Sequence, residues 1–188
     1  GASAPGHMHF QAAGKEESLS TPFFKDFLND IIEQTDFDDV PAIVNSYANN
    51  TFITSIGLAS ILRSELIEKF ENIYNILSTF YGKEPLINII AWYAIDSTKH
   101  GEDDEVVAWN CVIFLRSKHR PDCYYNQGGK GLLISPAVAE MGGVFPIIRE
   151  EDMDKLNTKE IIDIYKEISL SPEQFETLCD ELFRKDEV

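Results

Sequence analysis

The sequence of 188 residues predicts an α+β domain: N-terminal helices, a central mostly antiparallel sheet built on one long hairpin at about residues 86–116, and C-terminal helices. Three observations predict it. Two apolar runs, Leu86 to Ile95 (LINIIAWYAI) and Val106 to Leu115 (VVAWNCVIFL), are rich in Ile, Val, Trp and Tyr and flank a polar segment from Asp96 to Glu105. Apolar residues recur at helical spacing before these runs, and again after them.

Residues 1–20 stand apart from the domain. Gly1 to Met8 reads as a cloning remnant, with the natural chain expected to begin at Met8, and residues 9–20 (HFQAAGKEESLS) read as a polar tail. A single domain is expected over residues 21–188. Thr21-Pro22 suits a helix start, because Thr caps and Pro fits the first turn. Phe23, Phe24, Phe27, Leu28, Ile31 and Ile32 then share one face. Asp38 and Asp39 open a shorter helix with Val40, Ile43, Val44 and Tyr47 inward, stopped by Asn49-Asn50. Thr51 to Ser60 suits either a short strand or the lead into the next helix. That helix runs from Ser64 through Leu66, Ile67, Phe70, Ile73, Tyr74, Leu77, Phe80 and Tyr81, with Gly82 as its C-terminal cap.

In the hairpin, one face is expected to carry Ile87, Ile89, Ala91, Tyr93 and Ile95 beside Val107, Trp109, Cys111, Ile113 and Leu115. The opposite face is also mostly apolar, so both strands are expected to be covered on both sides. Beyond the hairpin, Tyr124-Tyr125 and Leu132 to Ile134 are short strand candidates around a Gln127–Lys130 turn, and Met141 to Ile148 reads as another extended piece. Asn157 or Thr158 can cap a helix through Ile161, Ile162, Tyr165 and Ile168. Ser171-Pro-Glu-Gln174 is a capping box leading into Phe175, Leu178, Cys179, Leu182 and Phe183.

A 44% hydrophobic and 11% aromatic composition fits a folded globular protein. No apolar run approaches the ~20 residues of a membrane helix, and no signal peptide is visible. Three cysteines make no disulfide framework, which points to a reducing, cytoplasmic setting. The unusual total is a net charge of −16, from 32 acids against 16 bases. Residues 1–80 carry 11 acids and 4 bases, residues 81–140 carry 8 and 6, and residues 141–188 carry 13 and 6. Such a field disfavours nucleic acid and anionic membranes and favours a cationic protein partner, although it also serves plain solubility.

Candidate sites follow from residue types. The acid run Glu102, Asp103, Asp104 and Glu105 at the hairpin tip can dock a cationic surface, or simply solvate a turn. Asn88 and Asn110 interrupt core-like strands; with Trp92 they suggest the floor of a pocket, or else a cross-strand amide pair satisfied internally. If the tip loop runs from about Asp96 to Glu102, the two amides lie opposite each other. Arg116, Lys118, Arg120 and Lys130, near Tyr124 and Tyr125, form the densest basic group and can hold an anion or pair with neighbouring helices. No metal site or cofactor is expected. His119-x3-Cys123 could make a ligand pair, but no Cys-x-x-Cys exists to anchor a zinc site, and Asp152 to Asn157 fails the calcium-loop pattern at Leu156 and Asn157. Gln127-Gly-Gly-Lys-Gly131 lacks the phosphate-loop spacing. No nucleophile signature is present, and a mid-strand Cys111 is expected to have a raised pKa.

The order of helices, a short strand at Thr51–Ile56, a third helix and then long strands is similar to the cone-shaped fold of nuclear transport factor 2 relatives, over about residues 22–135. The resemblance implies a ligand cone and no particular chemistry, and the two C-terminal helices fall outside it. The expected function is a non-catalytic acidic protein-binding module, of the inhibitor or immunity type, that neutralises a cationic partner. The alternative is a small-molecule-binding or enzymatic domain with its pocket on the sheet face near Asn88, Trp92 and Asn110.

Overall fold

The computed structural model describes residues 12, 14, 45–46, 53–96, 106–126 and 131–183. The helices expected between Thr21 and Val44 lie outside the described residues, as does that part of the cone resemblance. The chain has an α+β fold, with an antiparallel sheet, one helix between its second and third strands and further helices after it in sequence.

The sheet order is β1-β2-β4-β3, with β1 at Asn45–Ser46, β2 at Ile53–Ser60, β3 at Ile87–Asp96 and β4 at Val106–Leu115. Asn45 and Ser46 pair antiparallel with Thr54 and Ile53, which corrects the expected helix through Tyr47 at these two positions. Ladder pairing wins here over a weak helical pattern, because Asn and Ser favour helix interiors little. The ambiguous Thr51–Ser60 segment is strand from Ile53, and all eight residues of β2 are buried. β4 takes the centre because it pairs on both sides: Ile56 with Ile113 and Leu58 with Cys111 across one ladder, Ile89 with Ile113 and Tyr93 with Trp109 across the other.

The expected hairpin faces are those observed, but the expectation that both strands are covered on both sides is corrected. Only β4 is central. Among the described residues β3 is the edge strand, and Ile89, Ala91 and Tyr93 are exposed. Strand composition cannot distinguish these cases, since coverage depends on which strand pairs twice.

Helix α1 spans Arg63–Tyr81 and ends at Gly82, whose φ of 62° is the left-handed conformation that glycine adopts without a Cβ penalty. Four later helices follow the hairpin's end: α2 at Asp122–Tyr125, α3 at Val138–Met141, α4 at Glu150–Met153 and α5 at Thr158–Ile168. The last, α6, covers Pro172–Phe183. Three short expectations are thereby corrected. Tyr124-Tyr125 is a helical turn, Leu132 to Ile134 joins no strand, and the Met141–Ile148 piece begins on the last residue of α3. An isolated β-rich triplet needs a partner edge, and the backbone at these positions is held by loop bonds instead, such as Leu132 N–H to Cys123 O at 3.0 Å. The N-caps of both C-terminal helices are as expected. Asn157 accepts from the amides of Lys159 and Glu160, and Ser171 and Gln174 exchange reciprocal bonds of 3.0 and 3.2 Å.

Two cores lie on the two sheet faces. Ile53, Val112 and Phe114 meet Leu132, Ile134, Met141, Ile164, Tyr165 and Ile168 on the first face. Ile56, Leu58, Cys111, Ile113 and Leu115 meet α1 and α6 on the second, through Leu66, Ile73, Leu77, Phe175 and Leu178. Each such fully buried side chain contributes about 1.5–3 kcal/mol.

Candidate functional site

Arg116 follows β4 directly, and strand alternation turns its side chain to the first face, where it is fully buried. Its Nη1 donates to Asn88 Oδ1 at 3.0 Å and to Pro136 O at 2.6 Å, and its Nη2 donates to His119 O at 2.6 Å. Its own N–H donates to Leu86 O at 2.9 Å, and its carbonyl accepts from Tyr81 Oη at 2.9 Å. An antiparallel bridge joins it to Ser169. Arg116 therefore ties α1, β3, the 117–136 loop and the approach to α6 into one unit. Burial depresses its pKa to about 10, with Glu140 and Tyr81 opposing the shift.

The expected anion-binding residues enter different surroundings. Arg116 faces inward. Lys118 is held by Asp122 at 2.7 Å and by Glu167, and these two carboxylates raise its pKa. Arg120 donates from Nε to Ser135 Oγ at 2.8 Å, and its guanidinium stacks 4.3 Å from the Tyr124 ring centroid. Lys130 lies outside the described residues, as do Glu102, Asp103, Asp104 and Glu105. The expected Gln127–Lys130 turn also lies outside the described residues; just after it, a Cβ on Gly131 would stand 2.2 Å from Asn126 O, so only glycine fits there.

Asn88 and Asn110 share the first face and are 8% and 6% exposed. They are not opposite each other, which corrects the expected pairing. Asn88 faces Phe114, and Asn110 faces Trp92. The reason is the length of the connection, since β3 ends at Asp96 and β4 starts at Val106. Ser55, fully buried, lies on the same face opposite Phe114. Trp92 packs half-buried against the first core.

The thiols are passivated. Burial pushes Cys111 up to about 12, and burial raises Cys123 and Cys179 as well, so the thiolate nucleophile is disfavoured at each. Burial and the nearby charges of Arg120 and Arg116 lower the His119 pKa, which favours its neutral form. Among the described residues no group of three or more His, Cys, Asp or Glu side chains is placed to hold a metal.

Two features escaped the sequence reading. Asp152 is buried and accepts from Arg149 Nε at 2.7 Å, Arg149 Nη2 at 2.9 Å and the Leu133 amide at 3.0 Å, with Lys155 Nζ at 3.4 Å. The Arg149 bond is the largest cause of its depressed pKa, about 2. The signal was available as acid–base spacing of three residues on either side of Asp152.

The second feature is a hollow on α1 lined by Phe70, Glu71, Tyr74 and Asn75. One flank of α1 points to β2, where Glu65 accepts from Ser60 Oγ and Lys69 reaches Ala59 O. The other flank points toward β4, since the Arg63 guanidinium lies 6.0 Å from the Trp109 ring centroid and Tyr81 bonds Arg116. Ile67, Phe70 and Tyr74 occupy that second flank by helical spacing. On the sheet, Tyr93 stacks 4.6 Å from Trp109.

No helix among the described residues is long and apolar enough to cross a membrane. No curated protein and no solved structure matches the chain. Residues 108–186, from within β4 through α6, match the family model described as GDPGP1-like, C-terminal domain; over that stretch, less than half of its length, the chain is similar to this family.

Proposed function

We propose that this chain is a non-catalytic protein-binding module whose acidic surface receives a cationic protein, in the manner of an inhibitor or immunity-type protein. The observation that carries the reading is the engagement of five basic side chains, one buried and four in ion pairs, within a chain of net charge −16. Arg116 is buried, Lys118 serves Asp122 and Glu167, Arg149 and Lys155 serve Asp152, and Lys159 serves Asp163. Cations so engaged leave the excess acids to set the outer field, which steers a basic partner toward the surface. Free cysteines at Cys111, Cys123 and Cys179 suit a reducing compartment, so the cytoplasm is the proposed location.

The acidic tip, Glu102 to Glu105, is the proposed first point of attraction. The test captures a cationic partner from the native host and measures its association kinetics with the wild type and with a variant neutralised at Glu102, Asp103, Asp104 and Glu105. The on-rate should fall steeply between 0.1 M and 1 M salt, as the Debye length shrinks from ~10 to ~3 Å. It should also fall in the neutralised variant at low salt. A salt-independent on-rate would sink the reading, and an unchanged variant would remove the tip from it.

One observation favours a second reading, a small-molecule site on the first sheet face near Asn88, Trp92 and Asn110. Ser55, Asn88, Asn110 and Arg116 place buried polar groups on a face otherwise packed by Ile53, Val112 and Phe114. Polar groups kept in a core at a cost in stability often serve function. A polar metabolite that raises the Tm of the wild type but not of Asn110→Leu would support this reading over the first.

A further inference from the structure

Residues 144–153 put a group of apolar side chains into solvent. Val144, Pro146, Ile147, Ile148 and Met153 are all exposed there, Ile148 to 75% and Met153 to 61%. The stretch is pinned at two points. Near its start, Val144 N–H donates to Ala139 O at 3.0 Å, and the Phe145 ring packs edge-on against buried Tyr165 with centroids 5.5 Å apart. Further on, Arg149 donates to Asp152 at 2.7 and 2.9 Å and to Gly131 O at 3.2 Å, while Asp152 also accepts from the Leu133 amide. Pro146, Ile147 and Ile148 are thus held outward between two anchors. Exposed apolar side chains scattered singly need no explanation, but several on one short stretch mark a surface that meets a partner. Because this backbone is already tied down, docking there costs little ordering entropy.

The charges on the same stretch indicate the partner. From Arg149 to Lys155 the chain carries four acids against two bases. Both bases bind Asp152, and Arg149 also meets Glu151 at 3.4 Å, so exposed Glu150 and Asp154 stand in excess. Two copies meeting through this surface would set acid against acid, and an anionic membrane or a nucleic acid would be repelled, whereas lysines or arginines would be drawn to it. We infer that residues 144–154 are the contact surface for the cationic partner. Ile147, Ile148 and Met153 seat against apolar side chains of that partner, and Glu150 and Asp154 receive the basic residues that flank them. The inference rests on the cationic-partner reading above and names the surface that makes the close contact.

The test uses the full chain and a fluorescent amphipathic peptide with leucines on one helical face and lysines on the other. Two control peptides carry glutamates in place of the lysines, or serines in place of the leucines. Anisotropy should report saturable binding of the leucine–lysine peptide, and at least tenfold weaker binding of either control. An apolar variant, Ile148→Thr with Met153→Gln, should weaken binding about tenfold or more while its Tm stays near that of the wild type, because both side chains are exposed. A charge variant, Glu150→Gln with Asp154→Asn, should weaken binding severalfold at 0.1 M salt and much less at 1 M. The wild type supplies a readout that needs no variant. Under mild peroxide, exposed Met153 should oxidise readily and saturating peptide should slow it at least threefold, while buried Met141 reacts slowly in either case.

The inference is overturned if the leucine–lysine peptide fails to bind, if the serine peptide binds equally well, or if peptide leaves Met153 oxidation unchanged. It is also overturned if the free protein self-associates and the apolar variant does not, since the surface would then serve a second copy. Two patterns separate its failure from that of the parent reading. Binding retained in the apolar variant but lost on neutralising Glu102 to Glu105 keeps the cationic partner and removes residues 144–154 from its contact. Equal binding of the lysine and glutamate peptides, lost in the apolar variant, keeps an apolar docking surface here and removes both the flanking basic residues and the cationic reading.

Discussion

Replacing Arg116 with Met tests whether the buried guanidinium holds the C-terminal half of the domain to the sheet. Met fills much of the same volume and removes every donor. Asn88 Oδ1, Pro136 O and His119 O would then lose donors at 3.0, 2.6 and 2.6 Å. Charge-assisted bonds contribute ~1.5–3 kcal/mol each, and oxygens left buried without donors cost about as much. Against this stands relief from burying a cation. The depression of its pKa from 12.5 to about 10 indicates that burial costs the charged form roughly 3 kcal/mol, at ~1.4 kcal/mol per pH unit. The bonds win, and the expected loss is about 2–5 kcal/mol. Urea melts at neutral pH would show a lower midpoint with an unchanged slope. Arg116→Lys should fall between Met and wild type, because one ammonium cannot reproduce the planar fork. A loss below ~1 kcal/mol for Arg116→Met would refute the reasoning. It would mean that the three oxygens find other donors, and that the arginine is a tolerated burden rather than a tie.

Three further outcomes are expected. Ser171→Ala should cost ~0.5–2 kcal/mol in a urea melt, the usual worth of an N-cap, and Gln174→Ala less; no change in either would place the start of α6 elsewhere. Cys111 should resist a thiol reagent at pH 8–9 until the protein unfolds, whereas Cys123 and Cys179, only half-buried, should label first; early labelling of Cys111 by mass spectrometry would contradict its burial. Asp152 has a folded-state pKa below its usual 3.8, so its contribution is fully present above about pH 4 and is lost as pH falls toward about 2. Stability of the wild type measured from pH 5 to pH 2 should therefore fall more steeply than that of Asp152→Asn, and parallel curves would remove the carboxylate from the acid response.

The sequence by itself determined the elements whose signals are local. Periodicity and a left-handed glycine at Gly82 define α1, reciprocal capping by Ser171 and Gln174 defines the start of α6, and alternation puts Ile89 and Tyr93 on the same sheet face as Trp109 and Ile113. Burial of Cys111 followed from its place in a continuous apolar strand. Tertiary structure alone decided which strand lies at the centre. β3 and β4 are equally apolar, yet β4 pairs twice and β3 once, and pairing partners far apart in sequence leave no mark on either strand. The same physics separated Arg116, Lys118 and Arg120: close in sequence, they entered a core, an ion pair with a distant helix and an aromatic stack. A local basic cluster records charge density, but whether a cation reaches solvent depends on the acceptors that folding brings beside it. Asn88 and Asn110 show the same limit in register, since the length of the connection set their offset and no property of the two amides could.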